Sequence, residues 1–178
     1  GDVRNLRNLA IVQGDNRVTG AVALGADNVP TGNLDIAAPD LSTLAGLVGL
    51  EASGDVEGTV ALTVPGGAPQ AVVDIRSGSI SFGETELANA TVDVTLFDYI
   101  NRPQAEGTVE AASLALPSLT VAALDIDLSR LNDATVIDGS TTINNVATAL
   151  NGSVSSIQGE TAIDLRRLTA DIDGAAVA

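Results

Sequence analysis

Apolar and polar residues alternate with period two along most of the chain, the pattern of strands with one apolar and one polar face. Val18, Gly20, Val22 and Leu24 share one parity, and Thr19, Ala21 and Ala23 the other. Leu34, Ile36 and Ala38 alternate with Asn33, Asp35 and Ala37. Val56, Gly58, Val60, Leu62 and Val64 alternate with Glu57, Thr59, Ala61 and Thr63. Val92, Val94 and Leu96 follow, then Leu124, Ile126 and Leu128, and lastly Ile163 and Leu165. The apolar parity changes between Val73 and Ile75 on one side and Ile80 and Phe82 on the other. The Ser77-Gly78-Ser79 segment between them predicts a bulge or a corner.

Turn signals punctuate these runs. Pro65-Gly66-Gly67-Ala68-Pro69 reads as a hairpin loop and Asn101-Arg102-Pro103 as another. One stretch departs from period two: Leu41, Leu44, Leu47 and Val48 fall at helical spacing behind Pro39, with Asp40 or Ser42 available as a cap. The spacing predicts a short helix over about 40–50. It either caps one end of the sheet or covers a sheet edge. Ile143 to Leu150 reads as a second short helix or as strand.

A degenerate repeat underlies the strands. Val18-Thr19-Gly20-Ala21-Val22 has counterparts centred on Gly58, Gly107 and Gly152, at spacings of 38, 49 and 45 residues. Glycine within a strand marks a bend or a close backbone approach. Bends at equivalent places in successive strands would curve the sheet into a trough.

Composition narrows the chemistry. The 178 residues include no His, Cys, Met or Trp, and only two Phe and one Tyr. A Cys/His zinc site, a thiol nucleophile, a disulfide framework and a Ser-His-Asp triad are excluded. With 8 basic and 23 acidic residues, the net charge is −15. A basic stripe for nucleic acid is lacking, as is one for docking on anionic membranes. Small aliphatic side chains favour thin, regular layers over a thick core. The longest apolar stretch, Ala111 to Leu124, is broken by Pro117 and too short to span a bilayer as a helix. The start Gly1-Asp2-Val3 resembles no leader. The expectation is a single segment, 1–178, of a larger protein.

Individual residues carry sharper and plainer readings. The pairs Asp125/Asp127 and Asp171/Asp173 each share a strand face and could hold Ca²⁺ or act as acid and base. The solvated face of an acidic protein is the favoured reading. Phe82, Phe97 and Tyr99 read as core or edge plugs rather than acyl-chain contacts. Arg166-Arg167 reads as a solvated pair bonded to nearby acids rather than a lipid-phosphate contact. The alternation alone favours an ordinary sandwich core.

Two stretches bear on family. Leu34-Asp35-Ile36 leads into Pro39-Asp40-Leu41 and Leu44-Ala45-Gly46-Leu47, and then Gly54-Asp55-Val56-Glu57-Gly58-Thr59-Val60-Ala61-Leu62. Ile80-Ser81-Phe82-Gly83 leads into Leu87-Ala88-Asn89-Ala90-Thr91-Val92-Asp93-Val94, with Gly107-Thr108-Val109 beyond. Over nearly its whole length the chain resembles the AsmA-like/TamB family of the translocation and assembly module. The resemblance implies an all-β, mainly antiparallel, elongated curved sheet forming an open hydrophobic groove, with one short helix. It implies a non-enzymatic role in the periplasm of a Gram-negative bacterium, within an inner-membrane-anchored protein. The groove would carry phospholipid between inner and outer membranes, or shelter nascent outer-membrane protein strands. An outer-membrane barrel partner, TamA- or BamA-like, would bind outside this segment. No cofactor or metal is implied. The groove-lining residues would be Val18, Val22, Leu24, Leu34, Ile36, Val56, Val60, Leu62, Val64, Val73, Ile75, Ile80, Phe82, Val92, Val94, Leu96, Leu124, Ile126, Leu128, Ile163 and Leu165. An extracellular β-solenoid or adhesin stalk is a further alternative, and a β-helix enzyme using Asp125 and Asp127 the weakest.

Overall fold

Alternating runs of this length need partners on both sides, and they find them in chain order. The computed structural model describes residues 4–25, 28–47, 49, 51–157, 160–172 and 175–177. The strands are β1 (Arg4–Gln13), β2 (Asn16–Leu24), β3 (Pro30–Ala38), β4 (Ala52–Gly54), β5 (Val56–Thr63), β6 (Gln70–Phe82), β7 (Thr85–Phe97), β8 (Gln104–Leu116), β9 (Leu119–Leu131), β10 (Ala134–Ile143), β11 (Val146–Ile157), β12 (Glu160–Ile172) and β13 (Ala175–Val177). They form one antiparallel sheet in sequence order, with β4 pairing β6 beside β5. The fold is an all-β, curved, open sheet. One seven-residue helix, α1 (Leu41–Leu47), joins β3 to β4. Val48 and Leu50, part of the predicted helical stretch, lie outside the described residues.

Short turns explain the meander. Asn144 and Asn145, both with positive φ (47° and 68°), make the two-residue link from β10 to β11. Asparagine tolerates this backbone, and such links match the strand twist. Ile143 to Leu150 is therefore strand-turn-strand, not helix. The Pro65–Gly67 stretch is a single 3-10 turn, with Gly66 at φ 62°. Alternation does not mark β8 and β10. Their faces carry Ala105, Gly107, Ala111 and Gly139, whose hydropathy contrasts little with Ser and Thr.

The parity slip near Ser77–Ser79 is a line crossing four strands. Regular pairing lapses between Ser77 and Ser79, Ala88 and Ala90, Ala111 and Ser113, and Ala122 and Leu124. Asn89 and Ala123 on that line have left-handed φ of 47° and 51°. Beyond it the paired apolar set becomes Ile80, Leu87, Leu114 and Val121. In β7 and β9 that left-handed residue turns the strand, whereas β6 and β8 cross the line at Gly78 and Ala112 without a positive φ.

The core is thin. Among the described residues, those under one-tenth exposed and apolar are Ala38, Ala45, Ala71, Val94, Ala111 and Val121. The chain exposes 10814 Å², whereas a compact protein of 17.8 kDa exposes roughly 8,000 Å². This excess belongs to an extended sheet rather than a sandwich closed on its own core.

Candidate functional site

Register joins the apolar parities of separate strands into continuous rows. One row runs Gly20, Leu34, Val60, Val73, Val94, Gly107, Leu128, Ile137, Gly152, Leu165, each residue directly opposite the next. Its neighbour runs Val18, Ile36, Gly58, Ile75, Val92, Val109, Ile126, Gly139, Leu150, Leu168. A shorter third row joins Val22, Gly32, Leu62, Ala71 and Leu96. At a strand spacing of about 4.8 Å, nine steps make a stripe roughly 43 Å long.

Most residues of the expected groove lie on this stripe. From Val18 through Leu128 they are half-buried, apart from Val94 at 6% exposed and Phe82 at 55%. Phe82 sits at the end of β6 beside the turn. Val64 follows β5 in the loop and belongs to no strand. Ile163 and Leu165 are on β12, at 77% and 57% exposed. Among the described residues only β11 flanks them there, because β13 covers β12 from Ala170 to Ile172.

Glycines fit the stripe to its curvature. Gly20, Gly58 and Gly107 have φ of 155°, 155° and 137°. A Cβ on them would lie 2.0 Å from the Asn33 carbonyl oxygen, 2.1 Å from that of Asp74 and 2.0 Å from that of Asp93. No side chain fits these places, so the repeat in the sequence is a repeat of close backbone approaches.

The opposite face is acidic. Thr19, Asp35, Thr59, Asp74, Asp93, Thr108, Asp127, Asp138, Asn151 and Arg167 form one of its rows. Asp74 faces Asp93, Asp127 faces Asp138, and Glu110 faces Asp125. Arg76 pairs with Asp74 at 3.1 Å, and Asn151 donates from Nδ2 to Asp138. Asp125 and Asp127 line an open cleft of about 430 Å³ with Asp138, Asn151 and Arg167. Among the described residues no group of three or more acids converges as metal ligands would. Arg166 pairs with Asp164 at 3.3 Å, as a solvated pair does. Asp173 lies outside the described residues. No helix among the described residues is long and apolar enough to cross a membrane.

Two polar clamps fix one end of the sheet. Asn16, 2% exposed, donates from Nδ2 to the Asp40 carbonyl at 2.7 Å and accepts the Asp40 N–H at 3.0 Å. Asp40 caps α1, accepting from the Ser42 N–H at 3.0 Å, the Ser42 hydroxyl, and the Thr43 hydroxyl at 2.8 Å. The two hydroxyls hold its carboxyl below the ordinary range. Asp55, between β4 and β5, accepts from the Gly78 and Ser79 N–H groups at 2.9 and 3.1 Å. Those two bonds lower its pKa likewise. α1 packs on β4, and Gln13 donates to the Thr43 carbonyl at 3.3 Å. The helix thus lies at the β1–β2 turn end of the sheet.

Sequence reasoning marked the apolar positions strand by strand and Asp40 as a cap for α1, but missed the Asn16–Asp40 and Asp55 contacts and the cluster of Phe97, Gln104 and Arg130. Their partners lie 23–33 residues apart, a distance at which no local pattern signals contact. Among known proteins, no family model matches the chain, no curated protein does, and no solved structure does.

Proposed function

We propose that the chain is part of a non-enzymatic hydrophobic conduit of the TamB/AsmA-like kind. In this reading the apolar stripe holds phospholipid acyl chains and passes them across the periplasm between inner and outer membranes. The observation that carries it is the continuous stripe of small branched residues on a sheet with excess surface. Each methylene buried on it contributes about 0.8 kcal/mol. Ten would hold a chain by roughly 8 kcal/mol before ordering costs, with no fixed polar anchor. Such binding tolerates sliding. An outer-membrane barrel partner would meet regions of the protein outside this segment.

The test places photo-crosslinking residues at Leu34 and Ile126 on the stripe, and at Asp35 and Asp127 on the acidic face. Lipid labelling in cells at the first pair but not the second is the expected result, with phospholipid extracted from the purified chain. Equal labelling of both faces, or a chain free of lipid, sinks the reading.

One observation favours a second reading, a scaffold for outer-membrane strands. Ile163, Leu165 and Leu168 on β12 are 77%, 57% and 55% exposed beside an edge that, among the described residues, is paired only from Ala170 to Ile172. An added strand would cover them by β-augmentation. Crosslinks from Ile163 to an outer-membrane protein, without lipid labelling at Ile126, would favour it over the conduit. The antiparallel pairing of successive strands in one open sheet weighs against a β-solenoid stalk.

A further inference from the structure

Three connections meet at the end of the sheet away from α1: the loop after β5, the loop from β7 to β8, and the turn from β9 to β10. They enclose a cleft of about 300 Å³ whose lining includes Pro65, Phe97, Arg102, Gln104, Arg130 and Asp133. Gln104 is 9% exposed. Its Nε2 donates to the carbonyls of Asn132 at 2.8 Å and Ala134 at 3.3 Å. These bonds fix the carboxamide so that Oε1 accepts from Arg130 Nε at 3.3 Å and Nη2 at 3.1 Å. The Arg130 guanidinium also lies 4.0 Å over the centre of the Phe97 ring. Held on an edge and a face, the fork is pre-organised.

Among the described residues, no carboxylate forms an ion pair with Arg130, in a chain with 23 acids and 8 basic residues. Arg102, lining the same cleft, meets Asp98 at 3.7 Å and Asp133 at 3.6 Å, both longer than a hydrogen bond. Two guanidiniums thus border one cavity, one without an acid and one loosely paired.

We propose that this cleft binds a phosphate oxyanion between Arg130 and Arg102. Planar guanidinium forks match the oxygens of a phosphate mono- or diester in two-point contacts. The net charge opposes an anion at long range. At about 0.15 M salt, though, acids beyond roughly 8 Å are screened, and the local groups decide. Asp98 and Asp133, both lining the cleft, compete for Arg102 directly. The site does not depend on the stripe carrying acyl chains.

Inorganic phosphate titrated into the ¹⁵N-labelled chain at constant ionic strength tests this, with the backbone amide signals of Gln104, Ala105 and Ala134 beside the cleft as readout, since these survive substitution at Arg130. A saturable shift that chloride does not produce is expected. R130Q weakens binding about tenfold or more, as loss of a charge-assisted bond does, and D133N tightens it. R17Q, an exposed arginine outside the cleft, leaves it unchanged. If R130Q fails to fold, R130K keeps the charge without the fork and still weakens binding. Glycerol phosphate and a short-chain phosphatidylglycerol below its micelle concentration separate the sources. Equal affinity supports a free phosphate ester, and preference for the lipid supports a headgroup. No saturable shift from any of the three, or a shift unaltered in both R130Q and R130K, overturns the proposal. Lipid crosslinking along the stripe reports separately on the conduit.

Discussion

Asp55 joins two strand segments that would otherwise leave backbone donors unpaired. β4 pairs with β6 one register step away from β5, and the Asp55 carboxylate occupies the step by accepting the Gly78 and Ser79 N–H groups. These bonds favour the ionised form, so its pKa in the fold is below the ordinary 3.8. A lowered carboxyl pKa stabilises the fold above the unfolded value, and that stability is lost as pH falls through the folded one. D55N keeps one acceptor oxygen and no titration. Its denaturation midpoint should therefore fall at pH 7 and approach that of the parent chain as pH drops below 3.8. A constant gap down to pH 2 would show that the carboxylate does not titrate in the fold. Asn16 acts at the same scale without charge. N16A leaves the Asp40 N–H and carbonyl without their side-chain partner, and should cost about 1–3 kcal/mol by urea denaturation. Hydrogen exchange at Asp40 should quicken with it. Stability unchanged within about 0.5 kcal/mol would mean that water replaces both bonds.

At the scale of the strand, glycine separates two kinds of position that look alike in sequence. Gly20 and Gly107 combine φ of 155° and 137° with a neighbouring carbonyl 2.0 Å from where a Cβ would stand. Gly139 lies on the adjacent row, and its nearest contact would be an ordinary 3.7 Å. G20A and G107A should each destabilise by about 1–3 kcal/mol or more from backbone strain alone, whereas G139A should be neutral or stabilising by up to about 1 kcal/mol. Thermal melts of the three variants check the contrast, and equal effects would mean that curvature does not depend on these approaches. Much of this architecture is legible in the sequence. The alternation marks β2, β3 and β5, Pro39-Asp40 marks the start of α1, and the parity change at Ser77–Ser79 marks the line where the strands exchange faces. β10 is illegible because Ala, Gly and Thr blur the contrast between faces, and β8 shows only through the Gly107 repeat for the same reason. The stripe residues are legible one strand at a time, but their joining into rows depends on register, set by turns such as Asn144-Asn145. The Arg130 cluster is invisible beforehand, since Phe97, Gln104 and Ala134 meet only after β9 and β10 have folded back.

For the molecule as a whole, two imbalances stand out: surface without a matching core, and acids facing acids. The second stems from a face that must remain soluble and resist pairing with other sheets. Like charges directly opposite on neighbouring strands are destabilising by a few tenths to about 1 kcal/mol per pair. D127N should therefore raise stability by that amount, and added salt should raise the parent's melting temperature by screening the same repulsion. Melting scans at low and high NaCl check both, and a salt-independent melt would contradict it. The first imbalance has a more specific consequence. A sheet that leaves its apolar face uncovered gains stability from whatever covers that face, by mass action. Short-chain phospholipid at 100 times its dissociation constant should add about 2.7 kcal/mol to unfolding, read as a rise in melting temperature that saturates with lipid. I126N sets a polar amide in the middle of the stripe, at a half-buried position facing Val109 and Gly139. It should lower the lipid-free melt only modestly yet abolish most of the lipid-dependent rise, whereas D127N, one residue along on the acidic face, should leave the rise intact. The pair distinguishes a trough from a generally sticky surface, because the two substitutions are neighbours in sequence and opposite in space. If lipid raises the melts of both variants alike, the stripe is not where it binds.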